Sequence, residues 1–580
     1  MINIIVNKWF AGKNNQKFYY ILFFVLFGLF FVFNLLSLPK EMDERGMFDE
    51  NIRFLEYKNT NNLSLEKAFE DWDAIIGEKS RSLYITTYIT GSPFYSLIRF
   101  YLLKLPIHPV VTFNIFNLIV AILFFYAAYL LIKLLFDNII AIKSLIIMLS
   151  FYGVYTVTRF SGRGYIVIGL AFILFGCYFI WKSMLSGKQY YLIYAGIFMG
   201  LSWTAGNHMT KLTPGFLIIT SIFYTFNYFK QNNFSFKNLL KLFLNFFFLV
   251  GSFTIISVVI IKIMSYKFNL DFSSLLLQTG FMKDRAVGPG SNVVVTEILR
   301  RLRLFICFPK FSDVILWWDE FFYGHSLIPE FFISFLILSI FYLKENFKIY
   351  FFRFVYITIF ALLPFIFIFT LSEWEIRYQL IFLPFLAVLI VFGLKYYFEV
   401  IAVKIENISG KTCYKIYRRI ISGIIIIVIA IIYSSKIYNV AFGDYAKSWN
   451  NSYNGPGHRA TADALNIMYK KYGESIKTIT LLQDFMSPDG MLVYLGFNLD
   501  HKYKMLGACG PTTENSIPKL FDQYTKENGK VFIVVADGWH YGRLVGWYPN
   551  IKLELIKKIK LPKVRSFHGT GLKLYCVNGI

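Results

Sequence analysis

Apolar runs long enough to cross a bilayer follow one another from Tyr19 to about Asn439, beginning with "YYILFFVLFGLFFVFNLLSL". A helix crossing about 30 Å of hydrocarbon needs roughly 17 to 25 such residues, and about eleven runs meet that length. Lipid offers no partners to free backbone groups, and these runs are far longer than barrel strands, so the spans are expected to be helices. With 56% hydrophobic residues and 16% charged ones, the chain lies outside the range of soluble proteins. The first run is too long for a secretory signal, and no small-x-small cleavage site precedes Pro39, so it reads as a signal anchor.

Lys and Arg outnumber Asp and Glu by 59 to 35, a formal charge of +24. The cations sit in short loops between apolar runs rather than along one soluble face, which excludes a nucleic-acid surface and fits the positive-inside rule. Lys8, Lys13 and Lys17 put the N-terminus in the cytoplasm. By parity the basic loops "KLLFDNIIAIK", "WKSMLSGKQ", "FKQNNFSFKNLLK", "KENFK" and "KIENISGKTCYKIYRR" then share that side. Five stretches fall outside: the loop 39–108, "TRFSGRG", "GNHMTK", the loop 265–328 and "LSEWEIR". The fold class expected is a multi-pass α-helical membrane protein, with residues 1–440 as the transmembrane domain.

A last span, "IISGIIIIVIAIIYSS", delivers residues 441–580 to the outer side. Their ordinary polarity, the β-prone runs "IKTITLL", "MLVYLG", "KVFIVVAD" and "LKLYCV", and the helical pattern "HRATADALNIMYKKYG" predict a small extracytoplasmic α/β domain. Cys509 and Cys576 lie there, where an oxidising compartment permits a bridge or leaves two buried thiols. Asp537 and His540 in "ADGWHYG" read as turn residues. In the loop 265–328, "GFMKDRAVGPGS" suggests a mobile segment, while Arg300, Arg301 and Arg303 in "EILRRLRLFICF" read either as headgroup contacts or as part of a lid over a site.

Acids are scarce, yet Glu41, Asp43, Glu44, Asp49 and Glu50 crowd the exit of the first span. Read as a helix, Glu41, Arg45, Asp49 and Arg53 form an i, i+4 ladder of alternating charge, the pattern of a solvated face. Asp43 and Glu44 fall nearer the apolar row of Phe48, Ile52 and Leu55, and so point toward packed protein. A carboxylate there suits a general base. On the same side lie Arg163, Lys211 and Arg377, each at the edge of a different span. Cations at such edges ordinarily snorkel to the surface, whereas three around one cavity would hold a lipid-borne phosphate.

These residues and their order resemble the GT-C superfamily of polytopic glycosyltransferases, in particular the branch of protein O-mannosyltransferases and lipid A aminoarabinose transferases. The resemblance covers roughly residues 20 to 400. It rests on "DERGMFDE", "GSPFYSLI", "SGRGYIVIGLAFILFGCYFIW", "GIFMGLSWTAGNHMTKLTPGFLI" and "RYQLIFLPFLAVLI". It implies a GT-C-like fold and transfer of a sugar, with inversion, from a polyprenyl phosphate donor to a glycolipid, glycan or protein acceptor. Asp43 would be the catalytic base and Glu44 its support. Lys211, Arg163 and Arg377 would hold the donor phosphate, and Tyr378 would contact donor or acceptor. Where the aminoarabinose-transferase branch carries Lys before the loop proline, this chain has Ser92, so that phosphate contact is missing or supplied by Arg81 or Lys283.

No metal is needed for this chemistry; the oligosaccharyltransferase branch uses a divalent cation, which Asp43 and Glu44 would hold under that alternative. A flippase or transporter of lipid-linked glycans would also use membrane cations, but the polar residues gather at one end of the spans rather than at the midplane. A polymerase or ligase of lipid-linked glycans shares the anionic donor. The branch resembled places the chain in a bacterial cytoplasmic membrane, with its C-terminal domain in the periplasm.

Overall fold

The computed structural model describes residues 16–36, 92–107, 109–150, 164–206, 209–273, 351–361 and 379–396 of the helical part, residues 476–482, 504–507, 531–536, 549–560 and 571–579 toward the C-terminus, and the short pieces 59, 61–64, 67, 275, 339 and 545–546. The helices are α1 (Gln16–Leu36), α2 (Pro93–Leu103), α3 (Pro109–Leu135), α4 (Asn138–Ser150), α5 (Gly164–Ser186), α6 (Tyr190–Ala205), α7 (Met209–Gln231), α8 (Phe236–Phe268), α9 (Phe351–Ala361) and α10 (Gln379–Tyr396). Among the described residues, three helices are long and apolar enough to cross a membrane, in α3, α5 and α8. Shorter apolar helices run over Tyr19–Val32, Asn138–Leu149, Phe351–Ala361 and Phe382–Tyr396. The expected count of about eleven is therefore met only in part, because several of the apolar runs of spanning length, the last one included, lie outside the described residues.

Short connections turn successive helices back on one another, and each has a local cause. Asp137 Oδ1 accepts the amide of Ile140 at 2.8 Å and so caps α4. Gly187, at φ +69°, stops α5 in the left-handed conformation that glycine adopts without strain. Ser235 caps α8 by accepting from the amide of Asn238. Helix α8 runs past the expected loop boundary near Ser265 to Phe268 and stops at Asn269, also left-handed.

Helix α6 lies between α5 and α8 and packs closely on both. Its face toward α8 is made of glycine: a methyl group at Gly200 would overlap Ile256 and sit 2.8 Å from the carbonyl oxygen of Phe253, and one at Gly196 would overlap Ser252 and the Leu249 carbonyl. This Gly196–Gly200 pair is a small-xxx-small contact, which lets backbones approach where apolar burial gives little drive between helices in lipid. The opposite side of α8, including Phe247, Ile255 and Tyr266, is exposed, as suits a helix at the bundle's perimeter.

At one end of the bundle the Tyr20 hydroxyl meets that of Tyr129 at 2.9 Å and donates to Asn138 Oδ1 at 2.8 Å, tying α1 to the α3–α4 turn. Arg353 Nη1 donates to the Leu135 carbonyl at 2.7 Å and brings α9 to the same end. Helix α1, the α3–α4 turn and the start of α9 thus share one end of the bundle. The opposite end joins α2 to the start of α5 and the end of α8.

Toward the C-terminus, five strands form one mixed sheet in the order β2–β1–β3–β5–β4, with β1 Ile476–Leu482, β2 Lys504–Gly507, β3 Val531–Ala536, β4 Lys552–Lys560 and β5 Gly571–Gly579. Strand β1 pairs in parallel with β2 and β3, whereas β5 runs antiparallel to β3 and β4. Three of the runs read as β-prone are strands; "MLVYLG" and the expected helix lie outside the described residues, as does Cys509. Neighbouring residues Tyr575 and Cys576, which face opposite sides of β5, are both buried, so the sheet is covered on both faces. Strand β4 was not legible, because "KLELIKKIK" breaks alternation where the ladder slips between Leu555 and Lys557. Its lysines suit an edge strand.

Replacing Gly200 with Val is expected to lower the thermal unfolding midpoint of the detergent-solubilised protein by the equivalent of about 1 to 3 kcal/mol, the cost of overpacking. Gly251→Ala, on α8 where a methyl group meets nothing within 4 Å, should leave that midpoint unchanged or slightly raised.

Candidate functional site

The end of the bundle that holds the loops read as outer is organised around α2. Pro93 occupies its first turn, where a missing amide and a fixed φ favour helix initiation. The helix packs against α3, α6 and α8. Phe100 meets Phe268 edge-on at 5.2 Å, Tyr95 meets Tyr165 at 5.8 Å, and Phe94 meets Phe172 at 5.7 Å. One side of α2 is open, with Tyr101 exposed and Lys104 Nζ 4.2 Å from the centre of the Phe100 ring. The other side buries Ser92, Ser96 and Arg99.

Beside α2, the stretch "SWTAGNHMTKLTPG" leads from α6 into α7. Ser202 Oγ donates to the Gly169 carbonyl at 2.9 Å and shares a hydrogen bond of the same length with Thr213 Oγ1, so α5, α6 and α7 are joined through one buried hydroxyl. Gly206 lies against the Tyr165 ring, with no room for a Cβ. Met209 fills the space over Gly169 in the same way. Helix α7 therefore starts at a fixed place, and Lys211 falls in its first turn.

A cation in the first turn opposes the helix macrodipole, so helix stability alone does not favour Lys211 there. Lys211 thus adds a cationic residue at the helix end where the macrodipole is already positive. Pro214 adds to the irregularity, since it cannot donate to the carbonyl of Thr210 one turn earlier.

Of the candidate catalytic and substrate-binding residues read from the sequence, Lys211 is the one whose backbone is described. Asp43, Glu44, Arg81, Arg163, Lys283, Arg377 and Tyr378 lie outside the described residues, as do Asp537 and His540. Helix α5 begins one residue after Arg163 and α10 one residue after Tyr378. The reading of the sequence passed over Arg99, which is 0% exposed. The signal was present in "SPFYSLIR", where Ser92, Ser96 and Arg99 recur at i, i+4 and i+7 behind a helix-starting proline.

The described residues form a bundle of apolar helices followed along the chain by a small mixed sheet, with Lys211 in the first turn of α7. The crystal structure of ArnT from Cupriavidus metallidurans bound to undecaprenyl phosphate aligns with 95% of this chain and 97% of its own, at a TM-score of 0.51 and 13% sequence identity. The same ArnT in the apo state aligns over 96% of this chain and 97% of its own, with a TM-score of 0.49 and 13% identity. The apo oligosaccharyltransferase of Archaeoglobus fulgidus aligns over 90% of this chain and 71% of its own, with a TM-score of 0.48 and 13% identity. No protein-family model and no curated protein sequence matches the chain. The first alignment, over nearly the full length of both chains, shows that the chain has the GT-C fold that its motifs implied.

Substituting Ser202 with Ala is expected to cost about 1 to 3 kcal/mol of stability, since a buried acceptor and a buried hydroxyl lose their common partner. Thermal unfolding in detergent reads this, and Ser252→Ala, whose hydroxyl bonds only within α8, should cost less.

Proposed function

We propose that this protein is an inverting glycosyltransferase that moves a sugar from a polyprenyl phosphate donor to an acceptor at the outer face of the cytoplasmic membrane. The observation that carries the proposal is the placement of Lys211 in the first turn of α7, at the bundle end where α2, the start of α5 and the end of α6 meet. The ArnT structure that shares this fold holds undecaprenyl phosphate.

In this reading the bundle has about eleven spans, each long enough for the hydrocarbon, with the N-terminus cytoplasmic and residues 441–580 extracytoplasmic. Asp43 takes the proton of the acceptor hydroxyl or amine as that group attacks the anomeric carbon on the face opposite the phosphate. The bond between that carbon and the phosphate oxygen breaks, and polyprenyl phosphate leaves carrying the electron pair. Lys211, Arg163 and Arg377 neutralise the charge that develops on the leaving group, where fixed cations in a water-poor site act most strongly. Glu44 supports the base, and Tyr378, Arg81 and Lys283 contact the substrates. The acceptor is a glycolipid, a glycan or a protein.

Asp43→Asn is expected to reduce transfer by roughly 10² to 10⁴ while donor binding persists, as for loss of a general base. Transfer assayed with purified protein and synthetic polyprenyl phosphate sugars checks this, and undiminished turnover would remove Asp43 from the mechanism. Lys211→Ala should weaken both donor use and turnover. Lipid and surface-glycan mass analysis of cells lacking the chain identifies the sugar and its acceptor.

A further inference from the structure

Between Asp137 and Asp271 the chain carries no Asp or Glu, although helices α4 to α8 all fall in that stretch. Five of its lysines gather at one end of the bundle: Lys182 and Lys188 around the α5–α6 turn, Lys230 at the end of α7, and Lys237 and Lys241 at the start of α8. The packing of α6 on α8 fixes this level. Gly196 faces Leu249 and Ser252, and Gly200 faces Phe253 and Ile256, so the two helices run parallel and Lys241 comes level with the α5–α6 turn. The bond from Asn245 to Tyr224 brings the end of α7 alongside.

No ion pair holds any of these five ammonium groups among the described residues. Lys188, Lys230, Lys237 and Lys241 are exposed. Lys182 lies 4.6 Å from the centre of the Tyr191 ring and 5.3 Å from that of Tyr178, contacts that position its charge without neutralising it. Like charges gathered without a counter-charge raise the local potential, and an anion arriving from outside lowers it.

The neighbours of the lysines narrow the kind of anion. Lys237, Lys241, Leu244 and Phe248 follow one another at i, i+4, i+7 and i+11 on one face of α8, and all four are exposed. Tyr190 and Tyr194, one turn apart on α6, are each 47% exposed, as suits rings at headgroup level. A soluble anion would meet the lysines and leave the apolar row bare. A phospholipid meets both, with its phosphate at the lysines and its acyl chains along Leu244 and Phe248.

We infer that this end of the bundle binds anionic phospholipids in preference to neutral ones, through the lysines and the exposed apolar row that runs inward from them. The inference is independent of the sugar-transfer reading and of the side of the membrane that this end faces.

The test places the full chain in phosphatidylcholine nanodiscs containing a trace of lipid with a photoactivatable acyl chain, either phosphatidylglycerol or phosphatidylcholine, and maps the crosslinks by mass spectrometry. Phosphatidylglycerol should label residues 185–194 and 239–248 about tenfold or more over phosphatidylcholine. Lys188→Gln combined with Lys241→Gln should bring that ratio close to one, since each lysine at headgroup level contributes about fivefold. Lys262→Gln combined with Lys267→Gln removes the same charge at the other end of α8 and should leave the ratio at the wild-type level. All four side chains are exposed, so these variants should fold. Excess glycerol phosphate should not displace the lipid. Equal labelling by the two lipids in the wild-type protein overturns the inference, as does a wild-type ratio in the Lys188 and Lys241 variant. An equal loss in the Lys262 and Lys267 variant reduces the effect to net charge, and competition by glycerol phosphate assigns the lysines to a soluble anion; either result overturns it as well.

Discussion

Two helices in lipid gain little by burying apolar surface against each other, so their contact depends on how closely the backbones approach. In this chain that condition falls on α6. Gly196 and Gly200 let it settle onto α8 within reach of the Phe253 carbonyl, and its other side packs on α5. With α6 held on both sides, the chain at Gly206 has one place to go, under the Tyr165 ring, and α7 begins there. The position of Lys211 is thus a consequence of two glycines about two turns or more away along the preceding helix.

Polar contacts inside the bundle secure what the close approach begins. The Tyr356 hydroxyl meets Thr220 Oγ1 at 3.1 Å, and Thr220 in turn meets Cys177 Sγ at 3.5 Å, joining α9, α7 and α5. Asn245 Nδ2 donates to the Tyr224 hydroxyl at 2.8 Å, a bond between α8 and α7. Phe216, Phe360 and Phe385 stack in turn across α7, α9 and α10. At one end Tyr20, Tyr129 and Asn138 bond to one another across helices, and Arg353 donates to the Leu135 carbonyl. The opposite end buries Ser96 and Arg99 on α2 and carries Lys211 in the first turn of α7.

Much of this was legible in advance, and the reasons differ by element. Positive-inside parity assigned each turn a side from loop charge and helix length, which are local properties. The amphipathic segment within the first outer loop is a helix whose first turn is favoured by Pro93. Arg99 was passed over because the sequence shows that it shares a helix face with Ser92 and Ser96, but not that this face turns inward while Tyr101 turns out. In the C-terminal sheet, β1, β3 and β5 were legible from unbroken apolar runs. Strand β4 was hidden by a bulge and by lysines that an edge position tolerates.

By itself the sequence determined that the chain is a multi-pass bundle of apolar helices with a β-strand-containing segment after it, and which residue types stand at which turns. Those conclusions follow from hydrocarbon thickness, backbone hydrogen bonding and loop charge, all of which act on short stretches of chain. Only the tertiary structure decided which helix lies between which, that α6 meets α8 through glycine, that the start of α7 lies beside α5, and that Arg99 is inside. Those facts depend on contacts between residues tens to hundreds of positions apart, where the fit of one surface to another, and not the composition of either, sets the answer.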